Sequence, residues 1–226
     1  MRNKLPLFIL PLLLLTAIGV GHSQTALSGP RSVNDIKDLV KRSRSDDEKI
    51  ATQAKDELSS LKADSIPNLL QVMKTEKTCN SFVVAGLITQ LDPNYPGLVA
   101  AVTKLVRDIS LSNLLHPQEE MMCRRGAAYL LPSSVEGLRS ILNMLQKGDT
   151  WEKQTAIFAL DDFTEVGGYN ERPGEIDVMM EIVPVLAGMQ KSKDHTIRDM
   201  SSEVLGQIAD HDPKPLAELA KKLIVD

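Results

Sequence analysis

The chain has 226 residues, a formal charge of −4 and two cysteines, and aromatics make up only 4% of it. So few aromatics argue against stacking platforms for sugars or single-stranded nucleic acid, and the acidic balance argues against the concentrated basic face of a nucleic-acid binder. A core must therefore rest on Leu, Ile, Val, Met and Ala, which suits helix packed on helix.

Residues 1–23 read as a signal peptide. Arg2 and Lys4 give a basic start, Leu5 to Val20 is apolar, and Gly21-His22-Ser23-Gln24 is small or polar. Cleavage is expected after Ser23, with Ala26 as the alternative. The apolar run is shorter than the ~20 residues of a spanning helix and contains Pro6 and Pro11, so no membrane association is expected after cleavage. No Cys stands nearby to anchor a lipoprotein. The expected destination is the periplasm or the medium, and loss of Arg2 and Lys4 takes the charge to −6.

Residues 24–44 are expected to form a polar leader and a short helix, with Ser32 and Asp35 at capping distance and the helix ending near Arg42. Residues 45–226 then read as about five helical pairs of ~40 residues each. The first is predicted to begin at a Ser45/Glu48 capping box and to bury Ile50, Ala51, Ala54, Leu58 and Leu61. Pro67 opens its partner helix, which carries Leu69, Leu70, Val72 and Met73. The second places Cys79, Val83, Leu87 and Leu91 on one helix, turns at Asp92 to Gly97, and continues with Leu98, Ala101, Val102, Leu105 and Val106. The third turns at Pro132-Ser133-Ser134 and buries Leu138, Ile141, Leu142 and Leu145. In the fourth, Asp149 and Glu152 form the cap, an insertion fills 164–175, and Pro184 predicts a kink or break in the second helix. The fifth turns between Asp210 and Pro215 and closes with Leu216, Leu219, Ala220 and Leu223.

An internal echo supports this division. Leu58 to Leu69, Leu87 to Leu98 and Leu205 to Leu216 each begin and end on Leu, have an apolar residue one turn in, and carry Asp and Pro between. Such self-similarity is the mark of stacked helical repeats. Paired helices of this length with Pro-containing turns resemble HEAT repeats, and are most similar to the short, Ala-rich bacterial form also found in phycobilisome-lyase-type proteins. The resemblance covers about residues 45–225, close in units one, two and five and looser in three and four. It implies an all-α, right-handed solenoid of about five antiparallel hairpins (HEAT/armadillo-like), whose second helices line a concave binding side.

Cys79 and Cys123 fall at matching places on adjacent first helices. An even cysteine count in an exported chain favours a bridge, yet helices stack ~8–10 Å apart and a bridge wants Cα atoms within ~7 Å. Two buried thiols are the alternative. Lys74, Lys104, Arg107, Arg139, Lys147, Lys221 and Lys222 all lie on predicted second helices. Five are in last turns, where the helix dipole alone favours a cation; an acidic partner in the groove is the sharper reading. The insertion is the other candidate surface, with Glu165 and Glu171 for charge and Tyr169 as an amphipathic contact. Asp161, Asp162, Glu175 and Asp177 crowd around it without the spacing of a calcium loop.

Enzyme signals are weak. Ser59-Ser60-Leu61-Lys62 matches a Ser-x-x-Lys pair but lacks companion motifs, and His116, His195 and His211 are scattered. The expected function is a non-catalytic protein–protein interaction scaffold, without cofactor or metal, that binds another protein and no nucleic acid. The alternative is a chaperone-like or lyase-like accessory protein, against which export argues.

Overall fold

The computed structural model describes residues 31–76, 78–109, 117–165 and 172–224. The predicted signal peptide therefore lies outside the described residues. Among those residues the chain is all-helical: α1 Val33–Arg42, α2 Glu48–Ser59, a short 3-10 turn Ala63–Ser65, α3 Ile66–Thr75, α4 Asn80–Leu91, α5 Leu98–Asp108, α6 Pro117–Leu130, α7 Val135–Lys147, α8 Thr150–Glu165, α9 Glu175–Met189, α10 His195–His211 and α11 Lys214–Leu223.

Local chemistry sets most of these boundaries. Ser32 and Asp35 form a reciprocal capping box on α1, and Asp149 and Glu152 do the same ahead of α8, so orphan amides at both helix starts are satisfied. Ser134 caps α7 by accepting from the Gly137 amide. The cap of α2 is Asp47, whose carboxylate accepts from Lys49 and Ile50. The expected Ser45/Glu48 box gives way to it, and Ser45 Oγ instead accepts from the Asp47 amide. Gly97 and Gly174 enter α5 and α9 with φ of 82° and 84°, a conformation only glycine takes cheaply.

Two successions of helices carry most of the packing. In the first, α4 packs on α6, α6 on α8 and α8 on α10; in the second, α5 packs on α7, α7 on α9 and α9 on α11. Between the rows α5 touches α4, α6 and α8, while α7 meets α8, α9 meets α10 and α11 meets α10. In units three and four the second helix thus packs on the following unit's first helix more closely than on its own. The helix α1 is more than part of a leader. It packs on α2, α3 and α4, buries Ile36, Leu39 and Val40 in the shared core, and is tied by Lys37 to Glu76 at 2.9 Å.

Three expectations about these helices need correction. Ile50 is exposed, and α2 buries Ala51, Ala54 and Leu58. On α4 the fully buried side is Phe82, Val84, Ala85 and Ile88, with Val83, Leu87 and Leu91 only half-buried. Four helices surround α4, so its apolar residues run all round and leave no single stripe to read. Pro184 does not break α9, which continues from Glu175 to Met189. Pro184 and Met180, one turn before it, are both exposed, so the carbonyl deprived of its helical partner lies on the solvated side.

Candidate functional site

An open concavity that gathers predicted residues lies between α5 and α7. In α5, Leu98, Val102, Leu105 and Val106 face the core. Helical periodicity then turns Ala100, Lys104 and Arg107 outward, with Thr103 half-buried beside them. In α7, Leu138, Ile141, Leu142 and Leu145 are buried, which presents Glu136, Arg139, Ser140 and Asn143 to the same side. The two faces enclose an open groove of about 600 Å³.

Its floor is fixed by hydroxyls. Thr103 donates to the Val99 carbonyl at 2.8 Å, and Thr103 and Ser140 oxygens lie 2.5 Å apart. With the Thr103 proton committed, Ser140 is the donor across the groove. That bond sets the spacing of α5 and α7.

The walls are charged. Lys104 Nζ reaches both oxygens of Asp108, at 3.1 and 2.9 Å. Arg107 Nε donates to Glu152 Oε1 at 2.7 Å, while Oε2 of the same carboxylate takes the Asp149 amide. Glu152 therefore serves as α8 cap and arginine anchor together. The preceding residue, Trp151, is buried and donates its indole N–H to the Val106 carbonyl at 3.1 Å. The start of α8 thus grips the end of α5 at two successive positions. Across the groove, Arg139 Nη1 stands 3.8 Å from Glu181 of α9.

Of the predicted basic residues, the structure gathers Lys104, Arg107 and Arg139 in this groove. Lys74 and Lys147 are exposed at the ends of α3 and α7 but do not line it, and Lys221 and Lys222 are exposed in the last turn of α11. Tyr169 and Glu171 lie outside the described residues, as does the Glu165 side chain. The described stem of the insertion is tied down: buried Glu175 accepts from Arg172 Nη2 at 2.8 Å, and the same nitrogen donates to the Pro132 carbonyl at 3.1 Å. Asp161 accepts from Gln207 Nε2 at 2.9 Å. Among the described residues no three His, Cys, Asp or Glu side chains converge to hold a metal ion. Ser59 and Lys62 are both exposed and line neither of the two concavities described here.

Cys79 and Cys123 are joined by a disulfide with Cα atoms 4.7 Å apart. The expected spacing of ~8–10 Å between stacked helices does not bound this pair: Cys79 is the cap residue just before α4 and not within a helix as the sequence suggested, and α6 presents Gly126 to Phe82 three residues beyond Cys123.

Two features had little sequence signal. Arg124 is buried, its guanidinium 4.3 Å from the Trp151 ring centroid. It bonds Glu120 Oε1 through Nε and Nη2, at 3.1 and 2.8 Å, and Gln154 Oε1 at 2.7 Å. Burial pulls its pKa down and Glu120 pushes back; only the Glu120/Arg124 spacing hinted at the pair. A second concavity of about 250 Å³ lies between α1, α3 and α4, over Val40, Val72 and Val84 and rimmed by the Lys37–Glu76 pair.

No protein-family model matches the chain, and no curated protein matches it significantly.

Proposed function

We propose that the chain is an exported HEAT-like repeat protein, a right-handed solenoid of helical pairs with α1 packed on its first units, that acts without chemistry as a protein–protein interaction scaffold. Support for the architecture comes from the two parallel successions, α4/α6/α8/α10 and α5/α7/α9/α11, joined along their length by contacts between neighbouring units. Repeats stacked in this way build extended binding surfaces from side chains held on rigid elements. The Cys79–Cys123 bridge favours an oxidising compartment outside the cytosol.

The observation that carries the functional reading is the α5–α7 groove. Lys104 and Arg107 are seated on carboxylates of α5 and α8, and its width is set by the Thr103–Ser140 bond. Preorganised polar groups in an open groove lose little entropy when a partner docks.

A photo-crosslinking residue placed at Asn143, in the groove, tests this against one at Gln90, exposed on α4. Recovery in the native source of one protein species from position 143 and none from position 90 is the expected result. Equal yields from the two positions, or no adduct from either, would refute it.

A further inference from the structure

We propose that the α5–α7 groove takes an acidic segment of a partner protein, its carboxylates clamped by Arg107 and Arg139. This rests on the scaffold reading of the same groove and adds the chemistry of what it holds.

Two of the ion pairs in the groove are stacked with the cation outermost. The Lys104 side chain is 73% exposed and its partner Asp108 26%; Arg107 is 48% exposed and Glu152 12%. In both pairs the carboxylate sits below and the cation above, so positive charge meets an approaching molecule first. A cation held over a recessed anion presents the positive end of the pair outward and has already lost side-chain freedom, which lowers the entropic cost of using it.

The two arginines have binding capacity to spend. Arg107 engages Glu152 through Nε only, and Glu152 Oε2 is occupied by the Asp149 amide. A carboxylate meeting the terminal nitrogens of Arg107 would complete its fork without displacing Glu152. Arg139 is 3.8 Å from Glu181, beyond hydrogen-bond length, and both side chains are more than half exposed. Such a pair contributes little and exchanges readily for a better-placed carboxylate. Asn143 adds a neutral amide, and Val99 and Ala100 give the rim an apolar edge.

The lining also selects the class of anion. Glu136 is exposed in the same groove as the cations, while Asp108 lies under Lys104. A nucleic acid carries phosphates at every step and would run past the Glu136 carboxylate. A polypeptide can place Asp or Glu opposite Arg107 and Arg139 and a neutral residue opposite Glu136. Spaced carboxylates therefore fit, and a continuous polyanion is repelled.

Fluorescence anisotropy on the oxidised protein tests this with three labelled probes: a peptide of alternating Glu and Ala, its Gln–Ala counterpart, and an oligothymidylate. The Glu–Ala peptide should bind, weaken as salt rises, and lose about tenfold in affinity in Arg139→Ala, and again in Arg107→Gln, the size of one charge-assisted contact. Arg139→Ala is the reporting variant because its ion pair is exposed; circular dichroism checks that Arg107→Gln, which leaves Glu152 without its arginine, keeps its helicity. Equal binding of the Gln–Ala peptide, indifference to both substitutions, or tighter binding of the oligothymidylate would each overturn the proposal. So would self-association at the concentrations where the peptide binds, which would make a second copy the occupant. If position 143 crosslinks a native partner while the Glu–Ala peptide does not bind, the acidic assignment fails and the scaffold reading survives. If the peptide binds and no partner crosslinks, the scaffold reading is the one that fails.

Discussion

Phe82 of α4 lies so close to Gly126 of α6 that a Cβ added to the glycine would stand 2.5 Å from the phenylalanine Cβ and 2.7 Å from its Cγ. Three residues earlier on each segment, Cys79, which caps α4, and Cys123 of α6 have Cα atoms 4.7 Å apart. The missing side chain lets α6 approach α4, and that approach brings the two sulfurs within bonding range.

Gly126→Ala should therefore destabilise the protein, although alanine is the better helix former by ~1 kcal/mol. The clash is with atoms next to the Phe82 backbone, which cannot swing aside, and overpacking of this kind costs about 1–3 kcal/mol. Denaturant unfolding followed through Trp151, the one tryptophan, measures it. Wild-type or higher stability would show that the two helices are not held at this distance.

Removing the bridge should cost more. Closing a loop across 44 residues restricts the unfolded chain by about 4 kcal/mol in the chain-entropy account. A Cys79→Ser/Cys123→Ser double variant is expected to unfold at markedly lower denaturant than the oxidised protein. The two should coincide once the wild type is fully reduced. Equal midpoints under oxidising conditions would contradict the prediction.

Helix α1 should loosen in acid. The Asp35 carboxyl is held below its ordinary value of 3.8 by the hydroxyl and then the amide of Ser32, with Arg31 adding to the effect. A depressed carboxyl pKa contributes stability above the unfolded value, and that contribution is lost as pH falls below 3.8. The protection of α1 amides, relative to their intrinsic exchange rate at each pH, should fall in that range. In Asp35→Ala the protection should already be lower at neutral pH and change less on acidification. Matching pH profiles for variant and wild type would sink the assignment.

Pro184→Ala should stabilise α9. The substitution restores an amide that can donate to the Met180 carbonyl and removes the worst helix former from a helix interior, a gain of roughly 1–3 kcal/mol. Thermal unfolding reads it, and a lower midpoint would mean that proline makes contacts worth more than that bond.

Much of this fold is legible in the amino-acid order where the determinants are local. The Ser32/Asp35 and Asp149/Glu152 caps, the Pro132-Ser133-Ser134 turn and Pro67 in the first turn of α3 each depend on residues a few positions apart. What fails is what neighbours decide. The buried side of α4 cannot be read from its own residues because four helices enclose it. The grouping of Lys104, Arg107 and Arg139 follows from their places on second helices. The seating of Arg107 does not, because Glu152 comes from α8. The closeness of α4 and α6 had one signal, a glycine three residues after Cys123 and a phenylalanine three after Cys79. Spacing alone gives that coincidence no distance.

The claim that the groove of α5 and α7 is where this protein meets its partner is tested most directly by hydrogen–deuterium exchange, with and without the protein recovered by crosslinking at position 143. Slower exchange should be confined to Leu98–Asp108 and Val135–Lys147, with α4, α6, α8 and α10 unchanged. Protection on the α4/α6/α8/α10 succession, with α5 and α7 exchanging as in the free protein, would contradict it.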